Sequence, residues 1–325
     1  MSGSVNAATP YAGLSPDRVL DAVEAAGVAT DGRLLALNSY ENRVYQVGVE
    51  ADDAARGAFL VAKFYRPGRW SDAAIDEEHA FAAELVAAEL PVVAPLAFAG
   101  RTRLEHGGFR YALYPRRGGR APTLESADHL EWMGRLIARM HGVGAREPFR
   151  HRQAIDRQVF IAAPVRAVLE SRLLPAHLQA AYAAAAAQVD AAVAARFDAV
   201  GPVRTLRLHG DCHPGNVLWT DAGGPHFVDL DDARSGPAVQ DLWMLAGDDR
   251  AMAALLEGYA QFRDFDAAEL ALVPALGAMR QLHHGGWIAE RWHDPAFPAA
   301  FPYAADARWW QEHIDDLQRA ADALA

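Results

Sequence analysis

The sequence predicts an α+β protein of two lobes: a small, mainly antiparallel β lobe with accompanying helices, then a larger, mostly helical lobe. Three observations predict it. Short β-type runs separated by turns fill the first third of the chain, and helical stripes dominate the rest. A polar loop between strand-like runs interrupts those stripes at residues 203–230. The expected division is 1–115 and 116–325, with Arg116-Arg-Gly-Gly-Arg120 as the connector. At 325 residues the chain can bury a substantial core.

The elements follow in order. Residues 1–12 are small and polar and are expected to fray. Ser15-Pro16 opens a short helix with Val19, Leu20 and Val23 on one face, and Gly27 stops it. Strands are expected at Val44–Val49 and Phe59–Tyr65, around an acidic, glycine-containing turn. In the second, Phe59, Val61, Lys63 and Tyr65 share one side. Ser71 caps a helix over 71–90 that begins with acids and ends before Pro91. Two more strands are expected at Val92–Ala99 and Phe109–Tyr114. Beyond them Leu130, Met133, Ile137 and Met140 form a core-facing helical stripe. Further helices are expected at 176–197, 237–247, 251–263, 266–290 and 306–324. Pro295, Pro298 and Pro302 with Phe297 and Phe301 read as a stiff aromatic loop.

The chemistry concentrates in His209-Gly-Asp-Cys-His-Pro-Gly-Asn216, followed thirteen residues later by Asp229-Leu-Asp231. Phosphoryl transfer from a nucleotide needs a carboxylate to orient and deprotonate the attacking hydroxyl. It also needs oxygen ligands that hold magnesium against the phosphates. Asp211 and Asn216 stand five residues apart, the spacing of base and metal-binding Asn in kinase loops. A hairpin through Val217-Leu218-Trp219, a turn at 221–224 and His226-Phe227-Val228 would return Asp229 to them.

Composition adds a second signal. Of 31 basic residues only Lys63 is lysine, and it lies in the β-type run Phe59-Leu-Val-Ala-Lys-Phe-Tyr65. That run resembles the V-A-I-K strand, whose lysine contacts nucleotide phosphates. An ammonium is a compact point charge that a planar guanidinium does not replace in a tight pocket. On the next helix Glu78 shares its stripe with Ile75, Phe81 and Leu85 and is favoured as the partner of Lys63. Glu77 is less enclosed by large apolar groups.

These stretches resemble the protein-kinase-like superfamily in its aminoglycoside-phosphotransferase branch, which carries His-Gly-Asp-x-His-x-Gly-Asn. They are more closely similar to the bacterial stress response kinase A family, through Leu37-Asn-Ser-Tyr-Glu-Asn-Arg-Val-Tyr45, Val61-Ala-Lys-Phe-Tyr-Arg-Pro67, Phe227-Val-Asp-Leu-Asp-Asp-Ala-Arg234, Gly236-Pro-Ala-Val-Gln-Asp-Leu-Trp-Met244 and Asp294-Pro-Ala-Phe-Pro298. The resemblance implies a kinase-like fold and an ATP- and magnesium-dependent serine/threonine protein kinase of bacterial stress response. Asp211 would be the catalytic base, with Asp229 also catalytic, and Asn216 and Asp229 would hold Mg2+. Lys63, Glu78 and Ser39 would position ATP. The segment 111–115, with Tyr111 and Leu113, would meet adenine through its backbone. Asp241 matches a family acid that holds the catalytic loop, or it is an ordinary first-turn helix acid.

The chain also departs from protein kinases. No G-x-G-x-x-G precedes Lys63, Asp-Leu-Asp replaces Asp-Phe-Gly, and no activation segment follows. Asp231 either reaches a second metal or solvates the strand end. His209 is expected to buttress the loop and His213 to lie near the transferred phosphate. His283-His284 either faces the acceptor or is an exposed pair.

A formal charge of −11 argues against a nucleic-acid partner. No apolar run of membrane-spanning length and no signal peptide is seen, so a cytoplasmic protein is expected. The single cysteine, Cys212, excludes an internal disulfide and fits a reducing cytoplasm; a monomer is expected. Beside Asp211 it is either a redox brake or a small buried hydrophobe. The acceptor expected is a protein Ser/Thr hydroxyl. The alternative is a small molecule: an amino alcohol, sugar or aminoglycoside.

Overall fold

A computed structural model describes residues 10–51 and 57–325. The expected fraying of residues 1–12 therefore falls mostly outside the described residues, as does most of the turn before Phe59. The chain forms two compact units. The first comprises Met1–Thr123, Arg150–Arg152 and His213–Ala233, and the second Leu124–Phe149, Gln153–Cys212 and Arg234–Ala325.

The first unit is built on an antiparallel five-stranded sheet of β1 (Thr30–Ala36), β2 (Arg43–Val49), β3 (Phe59–Phe64), β4 (Leu104–His106) and β5 (Phe109–Pro115), ordered β1-β2-β3-β5-β4. The pleat of β3 divides its side chains. Leu60, Ala62 and Phe64 are fully buried with Val47 and Leu113 beneath α1 (Pro16–Ala25), which contributes Val19, Ala22 and Val23. Tyr65 and Ala112 belong to the opposite layer, against Ala74 and Ile75 of α2 (Asp72–Ala87). Lys63 pairs in register with Val44 and Ala112, so the alternation places it with the α2 layer. Ser71 Oγ accepts from Ala74 N at 3.1 Å and fixes the start of α2. Each large apolar side chain so enclosed contributes roughly 1.5–3 kcal/mol.

Val92–Ala99 does not form the expected strand; Val92 and Phe98 make isolated bridges to Phe227 and Arg101. Pro91 and Pro95 remove the amide donors a ladder needs there. The strands β1 and β4 were not legible, because β1 is largely solvent-facing and contains Gly32. The expected hairpin is present: β7 (Val217–Thr220) pairs with β8 (Gly224–Phe227), Val217 opposite Phe227.

The second unit is mostly helical: α3 (Ala127–Gly144), α4 (Ala163–Glu170), α5 (Gln179–Val200), α6 (Gln240–Trp243), α7 (Asp249–Ala260), α8 (Val273–Arg291), α9 (Ala296–Ala300) and α10 (Ala307–Leu324). A two-stranded ribbon joins β6 (Leu206–Leu208) to β9 (Arg234–Gly236). Tyr182, Val189, Leu276, Met279, Trp310 and Leu317 lie in its core. The segment read as an aromatic loop coils into α9 and a tight turn at Pro302–Ala305, since proline is tolerated at the first positions of a helix. No helix of the described residues is long and apolar enough to cross a membrane.

Helices α3 and α7 meet backbone to backbone. A Cβ on Gly134 would stand 2.0 Å from the Leu255 carbonyl oxygen, and one on Gly258 would stand 2.0 Å from that of Glu131. Gly134→Ala is therefore expected to destabilise the protein by about 1–3 kcal/mol despite the better helix propensity of alanine. Urea unfolding of the two proteins checks this; an unchanged or raised midpoint would contradict the close crossing.

Candidate active site

In the first unit the β7–β8 hairpin does local work. Asn216 O accepts the Val228 amide at 3.0 Å, which brings Asn216 beside the end of the returning strand. Asp229 follows in the left-handed region at φ 60, a conformation Asp adopts more readily than most residues. This bend leaves its side chain half exposed while Asp231 is buried. Lys63 Nζ lies 2.8 Å from Asp229 Oδ1 and 3.4 Å from Asp231 Oδ1. Burial alone would lower the Lys63 pKa, but the charges of Asp229, Asp231 and Glu78 hold it well above its ordinary value. Burial likewise favours a protonated Asp231, yet Arg69 and Lys63 hold its carboxyl at about 2. Arg69 bonds Asp231, and its second nitrogen reaches Asp232 Oδ1 at 2.6 Å.

Glu78 is buried, as its stripe implies, but its nearest ion partner is Arg152 Nη1 at 3.9 Å, not Lys63. Burial pushes the Glu78 carboxyl up to about 7, and Lys63 and Arg152 only partly offset this. Lys63 instead bonds Asp229 and makes its ion contact with Asp231. Arg152 was invisible to the sequence reading. Its guanidinium lies 3.9 Å over the Trp70 ring and donates to the carbonyls of Ala74, Asp231 and Ala233. Glu77, the neighbouring acid, accepts the amides of Arg150, His151 and Arg152 at 2.6, 2.8 and 2.9 Å and so sets Arg152 in place. No sequence signal links 77 to 150.

The glycine-free bend before β2 acts through Asn42. Its Nδ2 donates to Asp231 Oδ2 at 3.0 Å and its Oδ1 accepts the Arg66 amide at 3.1 Å. Ser39 lies half-buried in the same bend. Tyr111 and Leu113 stand inside β5. Tyr111 opposes Phe64 and Leu104 and donates its hydroxyl to Ala22 O at 2.5 Å, and Leu113 O already accepts Leu96 N at 2.7 Å. Among the described residues no cluster of three or more His, Cys, Asp or Glu forms a metal site. The oxygen donors Asn216 and Asp229 nevertheless suit a hard cation, and the nearby Asp231 Oδ1 accepts no hydrogen bond.

In the second unit Asp241, in the short helix α6, organises the loop that carries Asp211. Its two oxygens accept the amides of His209 and Gly210 at 2.8 Å each, and His141 Nε2 lies 3.2 Å from Oδ2. Gln240 donates to Gly210 O at 3.1 Å. Of the two readings of Asp241, this geometry selects the loop-holding acid. Cys212 is fully buried, and burial with the charges of Asp241 and Asp211 pushes its thiol well up. It is therefore a packing group and not a reactive thiolate. In the first unit, His213 Nδ1 accepts the Gly215 amide at 2.9 Å. His283 stacks on Phe160 at 4.6 Å, and His284 is packed near Trp287 and Phe301, so neither is an exposed surface group. Arg280 of α8 places Nη1 2.7 Å from Asp211 Oδ1.

Two expectations test the buried charges. Between pH 4.5, the ordinary value of a glutamate, and pH 7 the folded chain holds a proton on Glu78 that the unfolded chain has released. Stability must therefore fall as pH rises through that window, by on the order of 1–3 kcal/mol from this group. Glu78→Gln is expected to remove that part of the fall in urea unfolding at pH 5 and 8, and an unchanged slope would contradict it. Arg152→Met should cost about 3 kcal/mol by leaving three carbonyls and Glu78 unpaired, read from the same unfolding curves.

With this geometry in hand, comparison with known proteins gives a consistent result. The phosphotransferase enzyme family matches residues 33–273. The chain is 45% identical over 310 residues to stress response kinase A of Escherichia coli (strain K12), covering 94% of this chain and 92% of that protein. It is also 45% identical over 305 residues to the serine/threonine protein kinase RdoA of Salmonella typhimurium, covering 92% and 90%. Among solved structures an amicoumacin kinase superposes with a TM-score of 0.66 at 20% identity, covering 92% of this chain and 94% of that one, which shows the fold. A family match over most of the chain, together with near-full-length relatives at this identity, makes the chain a member of the phosphotransferase enzyme family, with its kinase-like α+β fold.

Proposed function

We propose that this protein transfers the γ-phosphoryl group of ATP to a serine or threonine hydroxyl of a protein, in a stress response like that named for its relatives. The observation that carries the reading is the pairing of the lone lysine with Asp229 and Asp231, beside Asn216, on one sheet unit. Lys63 is a fixed cation for nucleotide phosphates, and the Asn42 amide ties the glycine-free bend to Asp231 beside it. Asn216 and Asp229 would hold Mg2+, which when bound neutralises phosphate charge. Asp211 accepts the proton of the acceptor hydroxyl. Asp241 and Gln240 fix the backbone that presents it, so little reorganisation is needed during transfer. The 45% identity to proteins named as kinases, one of them serine/threonine-specific, supports a protein acceptor.

Incubation with labelled ATP and magnesium, with and without protein substrates, tests the reading. Asp211→Ala should lower kcat by roughly 10²–10⁴-fold while the KM for ATP moves little. Label appearing on metabolites and never on serine or threonine would overturn the protein acceptor. A fully active Asp211→Ala would overturn the base.

A further inference from the structure

We propose that Arg280 makes the acceptor position selective for hydroxyls flanked by negative charge, as in polypeptides rich in carboxylates or already phosphorylated. The inference rests on the reading of Asp211 as the base. Arg280 Nη1 lies 2.7 Å from Asp211 Oδ1, so a hydroxyl that bonds Asp211 stands within roughly 6 Å of the guanidinium. Groups adjoining that hydroxyl are within direct reach.

The way Arg280 is held separates it from a structural arginine. Arg152 is wholly enclosed and gives its donors to three carbonyls. Arg280 is 44% exposed and uses only Nη1, leaving Nη2 and Nε without a partner among the described residues. A guanidinium carries five donors in a rigid fork that matches carboxylate and phosphate oxygens. An ion pair this exposed adds little to folding, so stability is no reason for its position. Asp211 is the one acid bonded to Arg280 among the described residues, and the neighbour one turn along α8 is His284. A cationic acceptor approaching Asp211 would meet like charge, and an anionic one would find unused donors.

The test uses the full-length protein with magnesium and labelled ATP on serine peptides that differ only in the residues flanking the serine: Asp/Glu, phosphoserine, Ala or Arg. The expected kcat/KM is about tenfold higher for the anionic peptides than for the alanine peptide, and lowest for the arginine peptide. The Asp/Glu and phosphoserine arms distinguish a carboxylate from a phosphate source. Arg280→Ala should bring the anionic-to-neutral ratio close to one, and Arg280→Glu should invert it, which a loss of folding cannot do. Equal kcat/KM across peptides for the wild type would overturn the proposal. So would variants that lower every peptide by one factor with the ratio kept. If the wild type labels no peptide, the protein-acceptor reading falls and this selectivity with it.

Discussion

A buried aspartate surrounded by cations is the constraint on which the sheet unit depends. Asp231 is an ionised carboxylate with almost no access to water, a state tolerable only because Lys63, Arg69 and Asn42 all point to its side chain. Each partner comes from a different segment: β3, the turn before α2, and the bend before β2. Arg152 adds a fourth segment by binding the Asp231 carbonyl. The charge therefore acts as a gathering point. Segments distant in the sequence are held in one arrangement because removing any of them leaves an uncompensated ion in a dry interior.

The helical unit solves a related problem with different partners. There the organising group is the buried carboxylate of Asp241, matched not by cations but by backbone amides and a histidine. Amides have fixed directions, so this arrangement specifies loop geometry more tightly than an ion pair would. In the sheet unit flexible cationic side chains meet carboxylates, an arrangement that can exchange partners. The two units therefore stabilise their buried carboxylates with different chemistry.

Much of this was legible in the sequence because it rests on local rules. The alternation in β3 placed Lys63 on the face opposite Leu60 and Phe64, and the stripe on α2 picked out Glu78 as the buried acid. The hairpin from Val217 to Phe227 followed from two apolar runs and a glycine-rich turn. What escaped depends on contacts between distant segments. Glu77 looked like the less interesting acid of its pair, since nothing in the helix announces that three amides from 150–152 will arrive at its carboxylate. Asn42 was passed over for Ser39 because a glycine-free bend gives no spacing rule. The strand expected at 92–99 failed because apolar character outweighed two prolines in the reading, while the backbone obeyed the prolines.

The capture of residues 150–152 by Glu77, together with that of 213–233, means the sheet unit is assembled from three separate stretches of chain. Its last stretch, bearing Asn216 and Asp229, leaves the ribosome only after residues 124–149 and 153–212 of the other unit have already emerged. During synthesis the early strands and α2 must wait, with Lys63 lacking its anionic companions, while helices of the neighbouring unit begin to form. Neither unit is a contiguous segment that a protease cut or a gene truncation could release whole, and this ties assembly of the charge cluster around Lys63 to synthesis of the chain as far as Ala233.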